Sequence, residues 1–311
     1  MLDSHDHREL GRSMDLFHFQ EEAPGAVFWH PSGFHLFHSL KSAIRQWTRN
    51  DGYQEVKTPQ IYSQSFWERS GHWDKNSHKF LEIPGEKQSF AVKPVNCPAH
   101  IELVKRMNLD HGTLPIKLSE FGVSHEADPG GPPDGLFRLI QFTVDDGHVF
   151  CREDQVDEQV AIFARSLRTF YAAMGITEVR AALALRPPGR LGDDAMWDRA
   201  EALLGEAVRK AGLVVDIEEG KGAFYGPKLD FTLMDHRKRS WMCGTIHLDL
   251  ALPQRFGLEY QDLDTRTKPV VILHRAMVGS LERFLGILLE DRGPGSPPWL
   301  NFDCGRQTGQ P

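Results

Sequence analysis

Lys228-Leu229-Asp230-Phe231-Thr232-Leu233-Met234 sets leucine, phenylalanine and leucine at every second position, with Asp230 and Thr232 between them. Period two is the mark of a strand that buries one face. The charged turn Asp235-His236-Arg237-Lys238-Arg239 follows, and then Trp241 to Leu250, so the stretch is predicted to be a hairpin of antiparallel strands. Downstream, Gly279-Ser280 opens a predicted helix with Leu281, Phe284, Leu285 and Leu288 on one side.

Working upstream, Leu36, Leu40, Ile44 and Trp47 recur at helical spacing and Gly52 follows where a helix would stop. Val156, Val160, Phe163, Leu167 and Phe170 form a second stripe, begun by Glu153-Asp154 and ended near Gly175, and another helix covers about residues 195 to 211. Short runs around Gln54-Glu55-Val56, Phe90-Ala91-Val92, Pro115-Ile116-Lys117-Leu118 and Leu139-Ile140-Gln141-Phe142 read as strands. They are too irregularly spaced for parallel βαβ repeats. The expected class is α+β, an antiparallel sheet flanked by helices, in one domain, with a turn-rich tail from Arg292 to Pro298.

The chain has 311 residues, 40% hydrophobic and 25% charged, which excludes disordered and collagen-like classes. No apolar run reaches the roughly 18 residues that span a bilayer, and the start, Met1 to His7, lacks the order of a signal peptide. No membrane partner and a cytoplasmic location are expected. Cys97, Cys151, Cys243 and Cys304 form no CxxC pair, and 36 basic against 43 acidic residues give a net charge of −7, so nothing global attracts a polyanion.

Chemistry concentrates in Lys93-Pro94-Val95-Asn96-Cys97-Pro98, Asp145-Asp146-Gly147-His148, Ala223-Phe224-Tyr225-Gly226-Pro227-Lys228 and His274-Arg275. A thiolate, imidazoles and carboxylates suit zinc. Spacing alone does not select the ligands, because fifteen His and four Cys permit many triples.

At these segments the chain resembles the threonyl-tRNA synthetases, class II aminoacyl-tRNA synthetases. The resemblance runs from Asp6-His7-Arg8-Glu9-Leu10-Gly11 through Gly71-His72-Trp73-Asp74, Glu120-Phe121-Gly122 and Met196-Trp197-Asp198-Arg199 to Gly279-Ser280-Leu281-Glu282-Arg283-Phe284, which is similar to class II motif 3. It implies a catalytic domain over residues 1–300, built on a six- or seven-stranded antiparallel sheet, followed by a tail over 301–311. It also implies a homodimer with Pro59 near the interface.

The resemblance assigns zinc to Cys97, His148 and His274, a metal that in the family holds the amino group and β-hydroxyl of threonine and so selects against valine. By the same likeness Asp146 receives the amino group, Tyr225 lies beside the substrate, and Phe142 stacks on adenine. Arg138 and Arg283 reach phosphates of ATP, bound with Mg²⁺. Asp128 sits where a glutamate meets adenine, and Lys228 and Thr245 line the site.

Departures from the pattern cluster at the reaction centre. A motif 2 arginine that clamps the α-phosphate and the amino-acid carboxylate is replaced by Glu126, a second arginine by Ile140, and three glutamines by Val144, Met242 and His247. A lost charge-assisted contact is worth about 1.5 to 3 kcal/mol, and like charges near 4 Å repel by about 4 kcal/mol at an effective dielectric of 20. Roughly 5 kcal/mol is more than 1000-fold in rate, so adenylation should be crippled unless Glu126 turns away or another base compensates.

The family's editing and anticodon-binding domains are expected to be absent, and tRNA is an unexpected partner for a chain of charge −7. The expected function is therefore to bind a small amino acid, such as threonine or serine, on zinc. The enzyme would then activate or transfer it, from ATP or an adenylate, to a carrier protein or small metabolite. The alternatives are the catalytic core of a threonine–tRNA ligase and a catalytically silent protein that binds an amino acid.

Overall fold

Residues 6–292 are described by the computed structural model. The expected tail over 301–311, Cys304 and all but Arg292 of the stretch from Arg292 to Pro298 lie outside them. Among the described residues no helix is long and apolar enough to cross a membrane.

The core is an eight-stranded sheet. Its strands in chain order are β1 (Gln54–Glu55), β2 (Ile116–His125), β3 (Gln141–Cys151), β4 (Val179–Ala184), β5 (Asp216–Glu218), β6 (Lys228–Met234), β7 (Ser240–Asp249) and β8 (Val271–Ser280). In space they lie β5-β4-β6-β7-β8-β3-β2-β1. The six central strands, β4 to β2, pair antiparallel throughout. The two outermost pairs, β5 with β4 and β1 with β2, are parallel. The expected antiparallel sheet is present, extended by one parallel strand at each edge.

The hairpin of β6 and β7 closes through Asp235, whose carboxylate accepts the Arg239 N–H at 2.9 Å and whose carbonyl accepts the Lys238 N–H at 2.9 Å. Alternate residues of β6, Leu229, Phe231 and Leu233, are buried with Ile246, Leu248, Leu273 and Met277 of its neighbours. The helices that cover this face are α1 (Pro31–Asn50), α3 (Val156–Ala173), α4 (Asp194–Lys210) and α5 (Leu281–Arg292), and α2 (Cys97–Val104) joins a second core with Leu118, Phe150 and Ile272. α1, α3 and α5 follow the predicted stripes, α4 lies where a helix was expected, and α2 is a helix that the sequence reading did not pick out. α1 begins with Pro31 at its first turn and buries Leu36, Leu40 and Ile44, and Gly52 beyond it takes φ +84°, a left-handed turn that favours glycine.

Two expected strands were placed too short. The one at Pro115 continues to His125, and the one at Leu139 begins at Gln141 and runs to Cys151. Phe90–Val92 is a strand of a separate three-stranded sheet.

Candidate active site

Four strands deliver the predicted residues in rows. Register sets Lys228 opposite His247, His247 opposite His274 and His274 opposite His148. One step along the same face comes the row Asp230, Thr245, Ala276 and Asp146. Because alternate residues share a face, the surface opposite the Leu229–Phe231 core becomes a polar floor. Above it lies a cavity of about 500 Å³, a size that suits a small organic ligand.

Cys97 enters at the first residue of α2, and its Sγ and one ring nitrogen each of His148 and His274 lie within 4.8 Å of one another, all buried. The remaining ring nitrogens are occupied. His148 Nδ1 meets His100 Nδ1 at 2.8 Å, His100 Nε2 meets Glu120 at 3.1 Å, and His274 Nε2 meets Asp249 at 2.9 Å. That leaves His148 Nε2 and His274 Nδ1 for the cavity, the outer-shell arrangement that orients metal ligands. Burial pushes the His148 ring well below its ordinary value, aided by its histidine neighbours, so it is neutral, the form that binds metal. Burial, reinforced by Asp146 and Asp249, pushes the Cys97 thiol well above its usual range. A cation among these three groups would deprotonate it. Three soft or borderline donors with one open side fit zinc.

Asp146 lies beside this cluster, 3.8 Å from His148 Nε2, and its other oxygen accepts from Asn96 Nδ2 at 3.0 Å. Gly122 makes room for that amide, since a Cβ there would come within 2.2 Å of Asn96. Tyr225, Val144 and His247 line the same cavity. Thr245 donates its hydroxyl to Asp230 at 2.7 Å and therefore accepts from His247 Nε2 at 2.8 Å. His247 Nδ1 then accepts from the Tyr225 hydroxyl at 2.8 Å. Burial, with His274 and Lys228 adding to it, holds His247 well below its ordinary value, as this tautomer requires.

Phe142, Met242 and Thr245 also line the cavity, as do Glu126, Arg138 and Arg283. Arg138 Nη1 donates to the Pro132 carbonyl at 3.3 Å, and the Arg283 guanidinium lies 5.8 Å from the Trp241 ring centre. Among the described residues neither arginine has a carboxylate within ion-pair distance, which leaves both for an anionic ligand. Two expected residues fall elsewhere. Lys228 sits at the margin, bonded to Asp230 at 2.5 Å. Asp128 does not line the cavity, because its carboxylate closes a local turn by accepting the Gly130 N–H at 3.0 Å.

Glu126 does not stand as an unopposed charge, since another base compensates it. Lys79 Nζ stands 3.3 Å from its carboxylate, and the penalty computed for an unopposed negative charge shrinks accordingly. Lys79, His100 and Asp249 are site residues that sequence reasoning missed, and His72 and Asn96 were quoted within their segments without a role. His72 is buried with Nε2 4.0 Å from Cys97 Sγ, and burial pushes its ring down to about 3.

The strand end that carries Phe142 is held by Glu282, which accepts the Thr143 N–H at 2.9 Å and the Ser280 hydroxyl at 3.1 Å. Burial raises the Glu282 carboxyl to about 7. A carboxyl raised above its unfolded value of about 4.5 stabilises the fold below that pH, and the contribution disappears as pH climbs through 7. Between pH 4 and 8 the wild type should lose about 3 kcal/mol relative to Glu282→Gln, read by urea unfolding of both proteins across that range. Parallel stability curves for the two would refute it.

Comparison with known proteins gives a consistent result. Residues 80–292 match the tRNA synthetase class II core domain (G, H, P, S and T). The threonine–tRNA ligase of Polynucleobacter asymbioticus is 47% identical over 295 residues, 95% of this chain and 46% of that protein. That of Bordetella pertussis is 44% identical over the same extent. The chain thus spans about half the length of the curated relatives it matches. The crystal structure of the RNA-binding domain of threonyl-tRNA synthetase from Cryptosporidium parvum superposes with a TM-score of 0.92 at 38% identity, covering 95% of this chain and 74% of that one. Prolyl-tRNA synthetase of Giardia lamblia in complex with prolyl-adenylate shares the fold, with a TM-score of 0.75 at 12% identity over 98% of this chain and 58% of that one.

Proposed function

The chain belongs to the class II tRNA synthetase core family, and from that premise we propose that it is the catalytic core of a threonine–tRNA ligase, activating threonine with ATP and Mg²⁺. The observation that carries this reading is the Cys97, His148 and His274 cluster opening beside Asp146 into the cavity that Arg138, Phe142 and Arg283 also line. Zinc held by those three residues supplies a Lewis-acid site for an amino group and a hydroxyl. Asp146 receives the substrate ammonium, Tyr225 and His247 close the pocket around the side chain, Phe142 stacks on the adenine, and Arg138 and Arg283 hold phosphate oxygens.

The relatives at 44% to 47% identity are threonine–tRNA ligases, which favours tRNA as the acceptor. The carrier protein or small metabolite expected from the sequence, and the doubt about tRNA, find no support in them. A homodimer through the Pro59 region belongs to the same proposal and is read by mass in solution.

Amino-acid-dependent pyrophosphate exchange tests the reading. Threonine should drive exchange at least ~100-fold better than valine, because a site built to ligate a hydroxyl rejects the analogue that lacks it. Exchange with no amino acid, or equally with threonine and valine, would overturn it. Charging of tRNA against a carrier protein then decides the acceptor.

A further inference from the structure

We propose that Lys79 is the cation that binds the anionic oxygens of the substrate next to Glu126, with Glu126 serving to hold that lysine in place. The inference rests on the activation reading above.

Two independent contacts fix Lys79 to the segment that carries Glu126. Its carbonyl accepts the Ala127 N–H at 2.8 Å, and its ammonium meets the Glu126 carboxylate at 3.3 Å. The segment is itself anchored, since the Glu126 N–H donates to the Ile140 carbonyl at 2.9 Å. Both side chains line the cavity and are partly open, 36% for Lys79 and 22% for Glu126.

An ammonium has three donors, and among the described residues Glu126 is the one acceptor that meets it. At 3.3 Å that bond is long for a charge-assisted pair, which closes to about 2.7 to 2.9 Å when strong. Two donors therefore remain for a ligand inside a cavity that also carries Arg138 and Arg283. A carboxylate left bare there would repel both a nucleotide and an amino-acid carboxylate. Paired with Lys79, it instead fixes a cation at the wall. The ligand chemistry is an anionic oxygen, supplied either by the amino-acid carboxylate or by a phosphate of ATP.

Binding of threonine and of ATP, each measured by calorimetry, separates the two sources, alongside threonine-dependent exchange. Lys79→Met should weaken one of the two ligands and lower exchange, each by ~10- to 100-fold, while Lys79→Arg should stay within a few-fold of wild type. Weaker threonine with ATP unchanged identifies the carboxylate, and the converse identifies the phosphate. Glu126→Ala should move the same ligand in the same direction, by a smaller factor. If Lys79→Met leaves both affinities unchanged, or if Lys79→Arg loses as much as Met, the proposal is overturned. If the wild type shows no exchange but Lys79→Met still loses a ligand, the activation reading falls and the Lys79 assignment stands.

Discussion

Cys97→Ser should strip the protein of zinc and cut threonine-dependent exchange by at least ~1000-fold, because a serine hydroxyl stays protonated where a metal turns a thiol into a thiolate. Metal content should fall from about one zinc per chain to nearly none. The wild-type thiol is buried and protonated without a cation, so thiol reagents should react slowly whether or not metal is present, and metal content is the cleaner measurement. His100→Ala, which touches no metal but removes the partner of His148 Nδ1, should cost ~10- to 100-fold in zinc affinity. Full zinc and full exchange in Cys97→Ser would move the metal out of this cluster.

The second large effect lies beneath that shell. Lys93 is wholly buried, and its ammonium donates to Glu120 at 3.0 Å and to Thr58 Oγ1 at 2.9 Å. Glu120 also accepts the Thr58 N–H at 3.0 Å and meets His100. Glu120→Gln leaves a buried ammonium without its counter-charge and should destabilise the protein by about 3 to 5 kcal/mol. Urea unfolding at neutral pH reads the loss, and a change below about 1 kcal/mol would refute it. Burial by itself would raise the Glu120 carboxyl, but the bonds from His100 and Thr58 and the charge of Lys93 outweigh it and hold the group near 2. A depressed carboxyl stabilises the fold above its unfolded value, near 4.5, and that contribution fades as pH falls through 2. The acid limb of the stability curve should therefore flatten in Glu120→Gln.

How far the sequence could be read depended on how each element is buried. The hairpin of β6 and β7 and helices α1, α3, α4 and α5 were legible because one face is apolar and the other is not. β8, Val271–Ser280, was not picked out. Eight of its ten residues are buried, so no alternation marks it and the run looks the same at any period. The edge strand β5 failed for the opposite reason, since all three of its residues are exposed.

In the site, the residues carried over from the family fell almost entirely on one cavity. Lys228 and Asp128 did not: Lys228 is drawn to Asp230 beside it on the same strand, and a loop aspartate can satisfy itself on its own backbone. His100 was within reach of pattern reasoning: it lies three residues after Cys97, one turn along the same face of α2. Asp249 was too, two residues after His247 on β7. Lys79 had no such signal. It lies 47 residues from Glu126, and only the folded chain brings the two together.

The row from Lys228 through His247 and His274 to His148 crosses four strands, each contributing through its register alone. A slip of one residue in any strand would turn its whole contribution toward the apolar core. Chains that pair β8 with β3 out of register cannot set His274 beside His148 and Cys97, however much secondary structure they regain. Under the zinc proposal, metal uptake during refolding would work as a proofreading signal for that one pairing. It should lag behind the recovery of far-ultraviolet circular dichroism, and it should count only those molecules in which β8 and β3 have locked in the native pairing.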